Sequence, residues 1–281
     1  APIDGFNPEY GAPTTPTIEV LREMMDEKDL WPINKPVWDY LDGGGFHLVA
    51  SLYKDLVNQY GEARDIEDFA EKGQFVGAMN SKSIWENWNY NKLGYCSGLL
   101  FWYHNCPVRQ VAARMWDWSL EPTASLYHTQ NALQPLHVQF DYLKNTVSAC
   151  NDYYRAFPGY KVTAEVYDLN SKKVWSRTAA IDLPEDGVVN DVFKIDFPAN
   201  ITPVHFIKLR LYDERGKEVS DNFYWRSTNR YEGPETLTGP TTAGFEAISD
   251  LKPAKVSARY AQRTDEQGHR YIDVTLRNGG Q

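Results

Sequence analysis

Of the 281 residues only three are cysteines, Cys96, Cys106 and Cys150, and no C-x-x-C spacing relates them. This gives no sign of a thiolate metal site, and the odd number leaves at least one thiol unpaired in any compartment; three buried thiols are expected. Long hydrophobic runs are absent too. The longest apolar segment, residues 99–103, falls far short of the ~18 residues that span a bilayer, so no membrane span is expected. Charge of one sign never accumulates, since 38 acidic and 29 basic residues, net −9, are spread along the chain. Without a basic footprint for phosphate backbones, nucleic acid is excluded as an expected partner. No cluster of His, Cys, Asp and Glu has metal-ligand spacing, and no Ser/His/Asp set is visible. The run Gly43-Gly44-Gly45 lacks the following Gly-Lys-Ser/Thr of a phosphate loop, so no metal and no cofactor is expected.

What the chain has in surplus is aromatic side chains, with 9 Trp, 18 Tyr and 12 Phe. Such a surplus builds a core or offers flat apolar faces to the C–H faces of sugar rings, and composition alone does not choose. Glycine and proline are near average usage and 42% of residues are hydrophobic, the balance of an ordinary globular chain. The length suits about two domains. The pattern opens at Ala1 without a Met, which leads to the expectation that this is a piece of something longer.

Two kinds of patterning divide the chain near Leu136. Before it, helical spacing dominates. Thr15 is expected to cap a helix with Pro16 at its first position and Ile18, Leu21, Met24 and Met25 on one face. A second helix is expected from about Phe46 to Tyr60, stopped by Gly61, and a third from the cap Asp65 towards Trp88. The apolar run from Gly98 to Tyr103 reads as a strand covered on both faces, as in a parallel sheet. Strand, helices, strand, helix is α/β order. After Leu136 the period becomes two, with strands expected near 136–140, 145–151, 161–168, 173–181, 190–197, 204–212 and 218–226. Seven short strands in that span suit an immunoglobulin-like β-sandwich, here without the Cys-Trp-Cys signature. Residues 229–244, rich in Thr, Gly and Pro, read as a linker. Two alternating segments, 255–262 and 271–277, read as the start of a further, incomplete β-sandwich over 245–281.

On residue type alone Glu9, between Pro8 and the Gly11 turn, is a loop glutamate. Several runs give it another meaning. Gly5-Phe6-Asn7-Pro8-Glu9, Pro16-Thr17 with Leu21 to Met25, Pro36 to Tyr40, Asp65 to Gln74, Gly98-Leu99-Leu100-Phe101-Trp102 with Asn105 and Pro107, Pro135 to Gln139 and Asp221 to Trp225 keep their order over roughly 220 residues. Together they resemble glycoside hydrolase family 2, in the branch of exo-β-D-glucosaminidases and mannosylglycoprotein endo-β-mannosidases. The resemblance implies a multidomain α/β plus all-β chain. Residues 1–135 would be the last two βα units of a partial (β/α)8 barrel, followed at 136–228 by the immunoglobulin-like sandwich. A whole barrel takes about 250 residues, so most of it would lie elsewhere in the polypeptide.

The same resemblance implies a retaining β-glycosidase acting on β-linked mannose or glucosamine in oligosaccharides, with Glu9 as nucleophile and the acid/base upstream of Ala1. Its partners would be an oligosaccharide substrate and the upstream part of the same polypeptide, and this chain alone would be inactive. Substrate-binding roles fall to Asn7, which an extended segment puts on the same side as Glu9, to Trp102 as the floor of a sugar subsite, to Trp38 and Tyr40 as walls, and to Asn105 and His104 as hydroxyl partners. Asp39 and Asp42 are expected in a loop above the barrel, and Asp117 is read as structural, pairing with Arg114 or Arg109. The chain departs from the family at Leu41 and Val108, which bears on specificity. A secreted or periplasmic location is favoured over a cytoplasmic one. The rival expectation is a non-catalytic fragment whose sandwich and aromatic residues bind glycan without turnover.

Overall fold

The computed structural model describes residues 5–42, 48–92, 94, 96–112, 114–228 and 244–279. Before residue 136 two short strands, β1 (Phe6–Tyr10) and β2 (Gly98–Phe101), pair in parallel. Parallel neighbours require a long crossover. Here it carries α1 (Ile18–Met24), α2 (Glu27–Leu30), α3 (Pro36–Leu41), α4 (Leu48–Tyr60) and α5 (Ile66–Tyr90), and α6 (Ala124–Ala132) follows β2. Helices α2 and α3 were not foreseen; they are four and six residues long, too short to show a period. Asp65 caps α5 as expected, its carboxylate accepting the Asp68 N–H at 2.8 Å. Gly61 ends α4 with φ +77°, a conformation that glycine adopts without steric cost. Thr15, by contrast, is not a cap: α1 starts after Thr17, and the buried Thr15 hydroxyl donates to the Ala70 carbonyl at 2.9 Å. A β-hydroxyl meeting a helix carbonyl was a better use of that residue than a helix start.

Helix α5 is the spine of this half. Its Phe69 and Val76 are fully buried among Leu21, Leu30, Trp38, Leu52 and Leu56. Gly73 and Gly77 leave room for Thr15 and Thr14 to lie directly on the helix, and Thr14 Oγ1 donates to the Gly73 carbonyl at 2.9 Å. Tyr10 Oη donates to the Asn80 carbonyl at 3.1 Å and Trp88 Nε1 to the Gly98 carbonyl at 3.0 Å, so both strands are tied to α5. The expectation that β2 is covered on both faces is not met among the described residues, because Leu100 is 55% exposed and β1 and β2 pair only with each other.

The second half is the expected sandwich. A three-stranded sheet, β3 (Leu136–Asp141), β4 (Thr146–Asn151) and β7 (Gly187–Lys194) in that order, faces a four-stranded one. The latter runs β6 (Lys173–Leu183), β5 (Phe157–Asp168), β8 (Val204–Tyr212), β9 (Glu218–Ser227). The strand expected at 190–197 is shifted to Gly187–Lys194, because a register irregularity between Val147 and Ala149 loops out residues around Asp191, at φ +54°, while Phe193 and Ile195 stay in the core. Alternate residues of β5 and β8, Val162, Ala164 and Val166 with Ile207, Leu209 and Leu211, are fully buried between the sheets.

A buried carboxylate joins the halves. Glu86 of α5 accepts from His137 Nε2 at 3.1 Å, Asn222 Nδ2 at 2.8 Å and the Tyr224 hydroxyl at 2.8 Å, while its backbone carbonyl accepts from Gln139 Nε2 at 2.7 Å. Burial opposes its charge, yet Lys82 and these donors hold the carboxyl below its ordinary range. Lys82 itself is pushed down to about 8 by burial; its Nζ donates to the Phe223 carbonyl at 2.9 Å and lies 3.7 Å from the centre of the Tyr224 ring. Trp225 Nε1 donates to the Tyr60 hydroxyl at 2.8 Å, extending the contact to α4.

The linker expected at 229–244 lies outside the described residues except for Gly244, as does Gly43-Gly44-Gly45. Phe245 is buried, its N–H donating to the Gln59 carbonyl at 2.8 Å. The two last expected strands form a hairpin, β10 (Val256–Thr264) with β11 (Arg270–Asn278), exposed along its whole length. All three cysteines are buried free thiols. No helix of the described residues is long and apolar enough to cross a membrane.

Two outcomes follow from this packing. Gly77→Val places methyl groups inside Thr14 on α5's tightest face and is expected to cost ~1–3 kcal/mol in urea unfolding, as overpacking does. In the sandwich, the Lys173 ammonium, with Arg210 and Tyr167, holds Glu165 down at about 2. A carboxyl depressed in the folded state contributes stability above its unfolded value of ~4.3, and that contribution is lost as pH falls towards 2. Glu165→Gln is expected to flatten the acid limb of a stability-against-pH curve between those limits; an unchanged limb would show that Glu165 is not one of the groups responsible.

Candidate active site

Parallel pairing brings the C-terminal ends of β1 and β2 to the same side, where ligands gather in α/β sheets. The register is Phe6 opposite Gly98, Asn7 opposite Leu99 and Tyr10 opposite Phe101. Three steps along β1 therefore match two along β2, which is one extra residue, a bulge, at Pro8-Glu9. Bulges re-aim side chains and recur beside active sites. Proline suits this place because it has no N–H to leave unpaired. The Glu9 N–H is taken by Asn7 Oδ1 at 3.0 Å. Asn7 and Glu9 were expected on one side of an extended segment; in the structure the Asn7 side chain accepts the Glu9 N–H and so fixes the Glu9 backbone. Glu9 is exposed.

Just beyond β2, Trp102 donates its N–H to the Tyr10 carbonyl, which locks the residue after Glu9 to the first residue after the second strand. Gly11 makes this approach possible, because a Cβ there would overlap the Trp102 carbonyl oxygen. The Tyr10 ring meets Phe101 edge to face at 6.2 Å, and burial pushes its hydroxyl up to about 12, so it remains a neutral donor to α5. Trp102 is 54% exposed, its ring edge-to-face with Tyr103 at 5.9 Å. The end of β2 thus carries a half-exposed indole and the end of β1 an exposed carboxylate side chain.

The structure sorts the remaining candidates. Asn105 is exposed three residues after Trp102 and forms a bridge with Trp116. His104 is exposed, its carbonyl accepting the Trp116 N–H at 3.1 Å. Trp38, expected as a subsite wall, is a correction. It is 1% exposed on α3, packs edge to face on Phe69 at 5.7 Å and donates Nε1 to the Asp29 carbonyl at 3.0 Å. A ring spent on the core has no face left for a sugar. Tyr40, on the same helix, is 83% exposed. Asp39 lies within α3 and Asp42 at its C-terminal cap rather than in a loop, and the buried Asp42 carboxylate accepts the Val49 N–H at the start of α4.

Asp117 is buried in a turn of its own, with Oδ1 accepting from the Ser119 N–H at 2.8 Å, the Ser119 hydroxyl at 2.7 Å and the Glu121 N–H at 3.0 Å. The arginines expected to pair with it lie over rings instead, Arg109 over Trp118 at 4.9 Å and Arg114 over Tyr103 at 5.0 Å. Residue type alone missed Tyr10 and Gly11. Their signal was adjacency, an aromatic and a glycine straight after a strand-end glutamate.

Residues 144–231 match the family described as mannosidase Ig/CBM-like domain. The chain is 24% identical over 292 residues to an exo-β-D-glucosaminidase of Amycolatopsis orientalis, covering 97% of this chain and 28% of that protein. It is 23% identical over 238 residues to a mannosylglycoprotein endo-β-mannosidase of Lilium longiflorum, covering 79% and 25%. Among solved structures, the exo-chitosanase of Amycolatopsis orientalis superposes with a TM-score of 0.86 at 24% identity over 98% of this chain and 34% of that one. A β-D-mannosidase of Dictyoglomus thermophilum superposes at 0.70 and 17% identity, over 96% and 31%. The chain thus has the fold of the corresponding parts of those enzymes and spans about a third of their length or less. It resembles the glucosaminidase and mannosidase branch of glycoside hydrolase family 2, as its motifs indicated, and it carries that branch's immunoglobulin-like domain.

Because Gly11 sits against the Trp102 carbonyl, Gly11→Ala is expected to force β1 and Trp102 apart and to lower stability by ~1–3 kcal/mol, with a red shift of tryptophan fluorescence as the indole's setting loosens. Unchanged stability and emission would show that the approach is not tight.

Proposed function

We propose that this chain supplies the last two βα units of a (β/α)8 barrel and the following sandwich to a retaining β-glycosidase that hydrolyses β-linked mannose or glucosamine from oligosaccharides. In this reading residues 1–135 belong to the barrel, 136–228 to the immunoglobulin-like domain, 229–244 to a linker and 245–281 to a further β-domain. The observation that carries it is Glu9 in a bulge at the C-terminal end of a parallel strand, its neighbour Tyr10 bonded to Trp102 at the end of the next. Barrel enzymes keep their chemistry at that end of the strands. The exposed apolar Phe6 and Leu100 support it as well, since β1 and β2 look like strands cut from a larger sheet.

The mechanism assigns Glu9 the attack on the anomeric carbon, forming a glycosyl ester that water then hydrolyses. A retaining enzyme places a second carboxyl group ~5–5.5 Å from the first, to protonate the leaving oxygen and later to activate the water. Three aspartates of the barrel half do not suit that task. Asp42 is held by the Val49 amide, Asp117 by its own turn, and Asp39 lies exposed on α3 beside the core residue Trp38. We therefore assign the proton donor to another part of the polypeptide, and this chain alone is expected to lack turnover of natural glycosides. Asn7 positions the Glu9 backbone. Trp102 and Asn105 serve the sugar subsite, with Tyr40 as an outer contact.

In the complete enzyme Glu9→Gln is expected to lower kcat/KM by at least ~10³-fold while sugar affinity and fold persist, because the amide is isosteric but forms no ester. A 2-fluoro-glycoside that traps the intermediate, followed by peptide mapping, reads the residue directly. A label on any residue other than Glu9, or a loss below tenfold, would overturn the assignment.

A further inference from the structure

The chain beyond β2 doubles back and returns to the aromatic residue that follows Trp102. The His104 carbonyl accepts the Trp116 N–H at 3.1 Å, and the Val111 N–H donates to the Leu41 carbonyl of α3 at 3.0 Å. Three side chains are thereby gathered round Tyr103. Its hydroxyl donates to Gln110 Oε1 at 2.7 Å, the Arg114 guanidinium lies 5.0 Å from its ring centre, and its ring meets the Trp102 indole at 5.9 Å and 80°. Gln110 and Arg114 are buried, whereas Trp102 is half exposed.

A buried guanidinium costs solvation, and this one lies over a ring. Burial pulls Arg114 below its ordinary value, and the groups that favour its charge include Asp42 at the end of α3. A cation over an aromatic face is attracted by the ring quadrupole, more strongly where water is excluded. Burial also pushes the Tyr103 hydroxyl up, so it stays a neutral donor to Gln110. The Tyr103 ring is thus fixed at its hydroxyl end and on one face.

Trp102 is held differently. Its N–H is bound to the Tyr10 carbonyl, which fixes the backbone but leaves the two side-chain torsions to be set by neighbours. An indole that turned about both would present its faces in several directions, and each alternative dilutes the one that fits a bound ring. Contact with an aromatic ring that cannot itself turn removes those alternatives, because such pairs prefer one mutual tilt.

We propose that Tyr103 and Arg114 are positioning residues of the active site: Arg114 holds the Tyr103 ring, and that ring sets the orientation of the Trp102 indole. The inference rests on the reading of Trp102 as part of the sugar subsite. Neither residue need touch the substrate. Orientation of the indole serves the bound substrate and the transition state alike, so its loss raises KM and spares kcat.

The order parameter of the Trp102 Nε1–H, measured by ¹⁵N relaxation on the 281-residue chain and assigned with Trp102→Phe, tests the placing of the indole. It is expected near the ~0.85 of rigid backbone in the unmutated chain and below ~0.6 in Tyr103→Leu and in Arg114→Met. Tyr103→Phe keeps the ring beneath the guanidinium and is expected to keep the order parameter. In the complete enzyme the Leu and Met variants are expected to raise KM at least ~5-fold with kcat within ~2-fold, and Tyr103→Phe to hold KM within ~2-fold. Circular dichroism reports folding, and if one variant does not fold, the other and the unmutated value decide. An order parameter already below ~0.6 in the unmutated chain, one that stays high in both disruptive variants, or a loss of kcat at unchanged KM would each overturn the proposal. So would Tyr103→Phe proving as harmful as Tyr103→Leu. Activity that survives Glu9→Gln would instead remove the glycosidase reading, while the order parameter still upholds or overturns the placing of the indole.

Discussion

A carboxylate taken out of water at the junction of helix and sandwich sets the geometry of this protein. Glu86 is tolerable there because the Lys82 cation of its own helix and donors from β3 and β9 converge on it. A buried charge left without such partners costs several kcal/mol, so the two halves have one satisfactory way to meet. Tyr224 shows how closely the parts are shared: its hydroxyl donates to Glu86 while accepting from the Phe140 N–H at 3.0 Å and from Asn222 Nδ2 at 2.7 Å. The same hydroxyl therefore closes the sandwich and docks the helix.

From α5 the constraint passes to the strands. The helix holds β1 through Tyr10 and β2 through Trp88, and it accepts the Thr14–Thr15 segment on its two glycines. The end of β1 that carries Glu9 is thus fixed from behind by a helix whose own position is fixed by the sandwich. In front, the Tyr10 carbonyl meets the Trp102 N–H. A domain with no part in the chemistry proposed for β1 accordingly helps to place the residue that performs it.

The motifs behind the family resemblance take on a different meaning in this light. Pro135 to Gln139 and Asp221 to Trp225 contain His137, Gln139, Asn222, Tyr224 and Trp225, the residues of the interface network and its extension to Tyr60. Asp65 to Gln74 contains the cap of α5, the Asp68–Lys72 ion pair at 3.0 Å, and Gln74, which receives the Ala124 N–H. These runs record how the parts are joined rather than how substrate is bound. The exceptions are Gly5 to Glu9, where the bulge makes the backbone itself part of the proposed site, and Gly98 to Trp102 with Asn105, which the proposed subsite uses.

The sequence by itself determined the two kinds of patterning and the division near Leu136, the cap at Asp65, the stop at Gly61 and all seven sandwich strands. Each of these rests on neighbours in the chain, through period, cap chemistry or turn residues, and local physics is written in local sequence. It also put Glu9 and Trp102 at the ends of their strands. Only the tertiary structure decided that Trp102 is half exposed while Trp38 is buried and that Thr15 bonds to α5 instead of starting a helix. It alone brought Glu86 to its partners, His137 51 and Asn222 136 positions away in sequence. Those outcomes depend on which surfaces meet across the fold, and a residue's type and spacing carry no record of the partner that will cover it.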